Sequence, residues 1–175
     1  MKQHHVFSFL QRMGKSFMLP IAVLPVAGIF LGVGSSLTNE TTIMALHLSS
    51  ILGQGTFLYS VLILLKKVGN ILFDNLPLIF AVSIALGMSK RRKEVAALAA
   101  IIAFFVMHAT INALLCLDGS IVNGVVSGQV LDGSITWVCG MLSLEMGVFG
   151  GIIVGLGVSY LHNRFYQIQL PNVIS

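Results

Sequence analysis

The stretch VAALAAIIAFFVMHATINALL, residues 95–115, decides the fold class of this protein. It contains no charged residue and has the length of about 20 residues that a helix needs to cross a bilayer. The whole chain shares this character, since 56% of its 175 residues are hydrophobic, 9% are charged and the mean hydropathy is +0.94. A soluble domain has roughly 25% charged residues. The composition therefore predicts an all-α, polytopic integral membrane helix bundle.

Three further apolar runs predict membrane-spanning helices, at residues 17–34, 69–88 and 138–161. Together with residues 95–115 they give about four full spans. The first run contains Pro20 and Pro25, which would kink a helix but are tolerated in membrane bundles. A cleaved signal peptide is the alternative for this first run, but its length and the spans that follow favour a permanent span.

The basic residues are bunched at the ends of the apolar runs and predict the topology. Residues 1–15 form a basic N-terminus, and Arg164 follows the last run. The strongest bunch separates the second run from the third and consists of Lys90, Arg91, Arg92 and Lys93. The excess of basic residues in cytoplasmic loops predicts that these positions, including the N-terminus, face the cytoplasm. No nucleic-acid partner is expected, because no basic stripe is interleaved with aromatic residues.

Residues 43–65 are apolar but are interrupted by polar residues and glycines. A full crossing here would move the four basic residues at 90–93 to the outside. We therefore predict an interfacial or re-entrant helix, which leaves Lys66 and Lys67 at the outer headgroups. Residues 118–136 are rich in glycine and predict an outer loop with tight turns.

Two acids lie in or beside predicted spans, Asp74 and Glu145, and ionisable groups in a membrane are functional candidates. Both lie near the outer end, where a structural or interfacial role is favoured over a proton relay. His108 and Asn112 lie one helical turn apart. They are candidates for sugar binding, with hydrogen bonds between helices as the favoured alternative.

Glycines recur every four residues in the last run, at Gly147, Gly151 and Gly155, and predict a face on which a second helix packs closely. Cys116 and Cys139 have no metal-site spacing and form no CxxC pair. No phosphate loop or metalloprotease motif occurs. We therefore expect no metal and no cofactor.

Four stretches carry a family resemblance: LQRMGKSFMLPIAVLPVAGIFLGVGSSL at 10–37, DNLPLIFAVSIALGMSK at 74–90, EVAALAAIIAFFVMHATINALL at 94–115 and GVFGGIIVGLGVSYLHNRFYQIQLPNV at 147–173. They resemble the membrane component IIC of bacterial phosphoenolpyruvate-dependent sugar phosphotransferase permeases, in the glucose, maltose and N-acetylglucosamine group. The string MHATINALLCLDG and the outer insert resemble the maltose or alpha-glucoside branch more than the glucose branch.

The resemblance implies sugar uptake across the bacterial cytoplasmic (inner) membrane, coupled to phosphorylation of the sugar. Its implied partners are the IIA and IIB phosphocarriers, the sugar, the lipid bilayer and a second IIC in a dimer. The family's catalytic histidine lies in a GLHH-type string, its glutamate in a TEP-type string and the IIB cysteine in a CITRLR-type string. None of these strings occurs here. No catalytic residue is therefore assigned.

The resemblance also implies that residues 1–175 correspond to the N-terminal, dimer-interface part of a IIC domain. We expect a truncated chain that is inactive alone. One alternative is a small membrane scaffold or partner protein that dimerises with intact permeases. A secondary transporter with a proton relay through Asp74 or Glu145 is a third possibility, for which the resemblance gives no support.

Overall fold

The computed structural model describes residues 2–127 and 130–168. Helices predominate in this part of the chain, as the sequence predicts, and two short hairpins connect the sixth helix to the seventh. The helices are α1 (Lys2–Leu37), α2 (Glu40–Ala45), α3 (Ser49–Leu52), α4 (Phe57–Asp74), α5 (Leu76–Met88), α6 (Lys93–Leu117) and α7 (Gly147–Phe165). The strands are β1 (Ile121–Val122), β2 (Val125–Val126), β3 (Ile135–Val138) and β4 (Met141–Leu144).

Two helices of the described residues are long and apolar enough to cross a membrane, α1 over Phe7–Leu37 and α6. A third crossing results if α4 and α5 together form one span. The shorter α7 is not among these candidates, and its last turn carries His162 and Arg164. The predicted crossing by residues 138–161 therefore stays a prediction.

The prediction of one helix over residues 138–161 is wrong at its start, because α7 begins at Gly147. The residues before it form the antiparallel β3–β4 hairpin, in which Ile135 pairs with Leu144 and Val138 with Met141. The hairpin turns at Cys139 and Gly140, whose φ angles are +50° and +85°. A short apolar segment is compatible with either a helix or a hairpin, so its hydropathy does not distinguish the two structures.

The predicted segments 43–65 and 69–88 are also divided differently. Residues 43–65 contain the end of α2, all of α3 and the first half of α4. Gly55 has a φ of +96° and separates α3 from α4, and the Thr56 side chain caps α4 by accepting from the Tyr59 amide at 3.3 Å. The 69–88 segment breaks at Asn75, two residues before Pro77. Proline suits the first turn of a helix, where its missing N–H removes no helical hydrogen bond.

The predicted first span, 17–34, is the middle of α1, which includes Pro20 and Pro25. Residues 2–15 of the predicted basic N-terminus form the beginning of the same helix. The predicted outer loop contains the β1–β2 hairpin, which turns at Asn123 and Gly124 with positive φ angles. Residues 128–129 of this loop and 169–173 of the last resembling stretch lie outside the described residues.

The chain divides into two compact units. The first unit comprises residues 1–19 and 76–175, and α5 is its central helix, packed against α6 and α7. Ala81, Ile84 and Ala85 of α5 are completely buried. The beginning of α1 packs against α5 through Phe17 and Phe80, whose ring centroids are 5.6 Å apart in an edge-to-face arrangement.

The second unit comprises residues 20–75. Its buried cluster consists of Ile43, Leu52 and Leu62. The part of α1 that belongs to this unit approaches α4 closely at two glycines. A methyl group on Gly34 would lie 2.7 Å from the Lys66 amide nitrogen, and one on Gly69 would lie 2.6 Å from that of Leu31. Such small residues allow helix backbones to approach in membrane proteins.

Candidate functional site

A polar cluster joins α6 to the β3–β4 hairpin, and we call it the hairpin clamp: His108, Asn112, Leu142 and Ser143. His108 is 3% exposed, and its Nδ1 lies 2.7 Å from Oγ of the fully buried Ser143. Asn112 Nδ2 donates to the Leu142 carbonyl oxygen at 2.6 Å. The candidate sugar-binding pair therefore contacts the chain's own hairpin.

The local sequence explains this arrangement. His108 and Asn112 are four residues apart on α6 and lie on one helical face. The Phe104 ring, one turn earlier, packs against the His108 ring with a centroid distance of 4.6 Å. Buried polar groups are costly unless they form hydrogen bonds. The clamp meets this requirement by pairing each polar side chain with β4.

Glu145 connects the hairpin to the start of α7. Its carboxylate accepts from Thr136 Oγ1 and, at 3.0 Å, from the Gly147 amide, while its own amide donates to the Ser134 carbonyl oxygen at 2.8 Å. A carboxylate is favourable near a helix N-terminus, because the helix dipole is positive there. These contacts give Glu145 a structural environment at the exposed surface of the first unit.

Asp74, the other candidate acid, is the last residue of α4 and belongs to the second unit. Its side chain is exposed. The next residue, Asn75, turns back on the helix and donates from Nδ2 to the Ile71 carbonyl oxygen at 2.8 Å. Asp74 therefore lies at a helix end rather than inside a polar cluster of its unit.

The two cysteines lie in different surroundings. Cys116 is exposed near the end of α6. Cys139 lies in the β3–β4 turn, where burial raises the pKa of its thiol. A raised pKa keeps the thiol protonated near neutral pH, and the protonated form is a weak nucleophile.

The basic turn between α5 and α6 is held by two residues of α7. The Lys90 amide donates to Asn163 Oδ1 at 2.8 Å, and Asn163 Nδ2 donates to the Met88 carbonyl oxygen at 3.0 Å. His162 Nε2 lies 2.8 Å from the Arg91 carbonyl oxygen. The side chains of Lys90, Arg91, Arg92 and Lys93 are exposed.

Sequence reasoning missed His162 and Asn163 as positioning residues for this turn. Their only signal is that they are adjacent polar residues at the end of an otherwise apolar helix. The backbone of this turn is also unusual at Arg92, which has a φ of +46° and directly precedes α6. A left-handed conformation is uncommon for a residue other than glycine.

The three candidate packing glycines of α7 lie in two environments. A methyl group on Gly151 would overlap the Pro77 carbonyl oxygen, and one on Gly155 would lie 2.7 Å from that of Ala81. Both glycines therefore face α5. Gly147 has a φ of +49°, and a methyl group there would have no α5 atom within 4 Å. It serves the turn into α7.

The contacts of the hairpin clamp leave its polar side chains little capacity to bind a substrate. Its polar side chains bind one another or the backbone. Across residues 2–127 and 130–168, no group of three or more His, Cys, Asp or Glu residues is arranged to hold a metal ion. The Ser143 hydroxyl does lie beside the His108 imidazole, but Ser143 is fully buried and His108 almost so. A substrate has no access to this pair, and the arrangement serves to position the hairpin.

Comparison with known proteins identifies the family. The family described as Phosphotransferase system, EIIC matches residues 14–175. The glucose-specific EIICBA component of Staphylococcus saprophyticus is 38% identical over 169 residues, which cover 97% of this chain and 23% of that protein. The maltose-specific EIICB component of Escherichia coli is 35% identical over 170 residues, covering 97% and 31% respectively.

The chain thus spans 23% and 31% of the length of these two curated relatives, and it matches their N-terminal part. The family match covers most of the chain, and it agrees with the resemblance predicted from the four sequence stretches. The EIIC family is a polytopic membrane family, so the long apolar helices of this chain belong to an integral membrane protein. The chain belongs to the EIIC family of the sugar phosphotransferase system.

Proposed function

We propose that this chain supplies the N-terminal helices of a permease that takes up a sugar and phosphorylates it during transport. The observation that carries the proposal is the match over residues 14–175 to the EIIC family. The named relatives include a glucose-specific and a maltose-specific component, so we infer a sugar of that type. The string MHATINALLCLDG at residues 107–119 favours the maltose or alpha-glucoside branch.

In this proposal the two units serve as a scaffold. The 175 residues contain no GLHH-type, TEP-type or CITRLR-type string. We therefore propose that they do not phosphorylate sugar by themselves and that the chemistry requires a complete permease with its IIA and IIB phosphocarriers. The hairpin clamp then positions the β3–β4 hairpin, and His108 and Asn112 do not contact the sugar.

A chimera tests the proposal. The aligned N-terminal region of the maltose-specific EIICB component is replaced by this chain, and the chimera is expressed in a bacterial strain that lacks its own glucose and maltose permeases. We expect uptake of radiolabelled maltose or glucose together with sugar phosphate, and no uptake with this chain alone. A chimera that inserts in the membrane but transports neither sugar would contradict the proposal, as would sugar phosphorylation by this chain alone.

The alternative function is a membrane partner that pairs with intact permeases. The match over 97% of the chain supports it, because a chain that shares the N-terminal helices of an intact permease offers that permease the same packing surfaces. Coexpression with an intact relative tests this alternative. Copurification with lowered sugar uptake would support it, whereas unchanged uptake without copurification would exclude it.

A further inference from the structure

A cavity of about 810 Å³ lies in the first unit, where the beginning of α1, the α5–α6 turn and the end of α7 meet. Each of these elements contributes one cation to its lining: Arg12, Lys90 and Arg164. None of the described lining residues is acidic. The cavity therefore has an uncompensated positive charge, and like charges held together repel one another until an anion lies between them.

The backbone that carries these cations is held in place. Asn163 binds the amide of Lys90 and directly precedes Arg164 on α7. Ser16 Oγ donates to the Arg12 carbonyl oxygen at 2.8 Å, and Ser16 also contacts α5, where a methyl group on Gly87 would overlap it. Three separate elements thus bring the cations to one cavity through packing and hydrogen bonds.

Most of the exposed surface of the cavity is apolar, although Ser8, Ser159 and Asn163 also line it. Phe9, Met88 and Leu156 form part of the wall, and Tyr160 adds a ring with a polar tip. Leu10, next to the lining on α1, is 57% exposed. A free phosphate ion would satisfy the cations but would leave this apolar surface uncovered. A molecule with a phosphate group and hydrocarbon chains satisfies both.

We propose that this cavity binds an anionic phospholipid. The phosphate of the headgroup lies among Arg12, Lys90 and Arg164, and the acyl chains follow the apolar wall toward the outer surface of α1. Basic pockets between membrane helices are known sites for anionic headgroups. Each such cation contributes about a fivefold gain in affinity, and three contribute about a hundredfold.

The test measures lipid binding to the full chain, purified in mild detergent and stripped of lipid. Native mass spectrometry follows its titration with phosphatidylglycerol, phosphatidylethanolamine or inorganic phosphate. We expect phosphatidylglycerol to bind more tightly than phosphatidylethanolamine, and inorganic phosphate not to displace it. The combined variant Arg12→Gln, Lys90→Gln, Arg164→Gln should lower phosphatidylglycerol affinity by about a hundredfold.

A matched control removes three charges elsewhere, by Lys66→Gln, Lys67→Gln and Arg91→Gln, none of which lines the cavity. It should keep the affinity of the unmodified chain. Arg12→Lys with Arg164→Lys retains the charge and should also bind, which separates loss of charge from misfolding. Equal weakening in the cavity variant and the matched control would overturn the proposal. Equal binding of both lipids, or displacement by inorganic phosphate, would overturn it as well.

Discussion

His108 shows how one polar residue fits in an apolar helix. Its ring is buried against Phe104, and its Nδ1 meets Ser143 Oγ at 2.7 Å. A polar or ionisable side chain is costly inside a membrane, so its presence in a membrane helix suggests a function. Here Ser143 of the hairpin forms a hydrogen bond with the His108 ring, so His108 contributes to positioning the hairpin and to stability.

We predict that His108→Leu destabilises the first unit by about 1–3 kcal/mol, because it leaves the Ser143 hydroxyl buried without its partner. Adding Ser143→Ala should recover part of the loss, since both polar groups are then removed. The free energy of unfolding in detergent is the measurement. Thr110→Val, at an exposed position of α6, is the control. If the double variant is as unstable as the sum of the two single variants, the two side chains do not interact.

At the scale of elements, α5 and α7 approach each other through glycine. A methyl group on Gly151 would overlap the Pro77 carbonyl oxygen, whereas one on Gly157 of the same helix would have no atom within 4 Å. Alanine substitutions at the two positions therefore distinguish the effect of close helix packing from the effect of helix propensity.

We predict that Gly151→Ala lowers stability by about 1–3 kcal/mol, because it forces α7 away from α5. Gly157→Ala should be neutral or raise stability by up to about 1 kcal/mol, since alanine favours a helix. Thermal unfolding of both variants in the same detergent gives the comparison. Equal effects at the two positions would show that the approach of the helices is not limited at Gly151.

At the scale of the whole molecule, charge is distributed unequally between the ends of the first unit. The α5–α6 turn, with Lys90 and Arg91, precedes α6, whereas Asp118 and the hairpins follow it. Arg12 and Arg164 line the same cavity as Lys90. The basic residues of these elements thus gather at one end, which we propose faces the cytoplasm.

We predict that a membrane-impermeant maleimide labels Val122→Cys on intact cells and does not label Arg91→Cys. The native cysteines are first replaced by alanine, and this cysteine-free chain is the control. In inside-out vesicles the labelling should reverse, because the basic turn then faces the reagent. Labelling of Arg91→Cys on intact cells would contradict the proposed orientation.

The sequence by itself determined the membrane class, the family and the long helices. Residues 95–115 predicted a helix that the structure extends to Lys93–Leu117, because such a long apolar run without charge has few alternatives in a membrane. The family resemblance rested on continuous strings, which need no knowledge of contacts. Glycine spacing in α7 gave candidate packing positions but did not separate Gly151 and Gly155 from Gly147.

Only the tertiary structure decided the hairpin, the clamp and the cationic cavity. The hairpin residues 138–144 are apolar enough for a helix, and their strand geometry depends on a turn at Cys139 and on contacts with α6. His162 lies 71 positions from Arg91 in the chain, so no local pattern relates them. Hydropathy measures the cost of transferring a residue from water to lipid, whereas these features depend on distant partners for hydrogen bonds and charge.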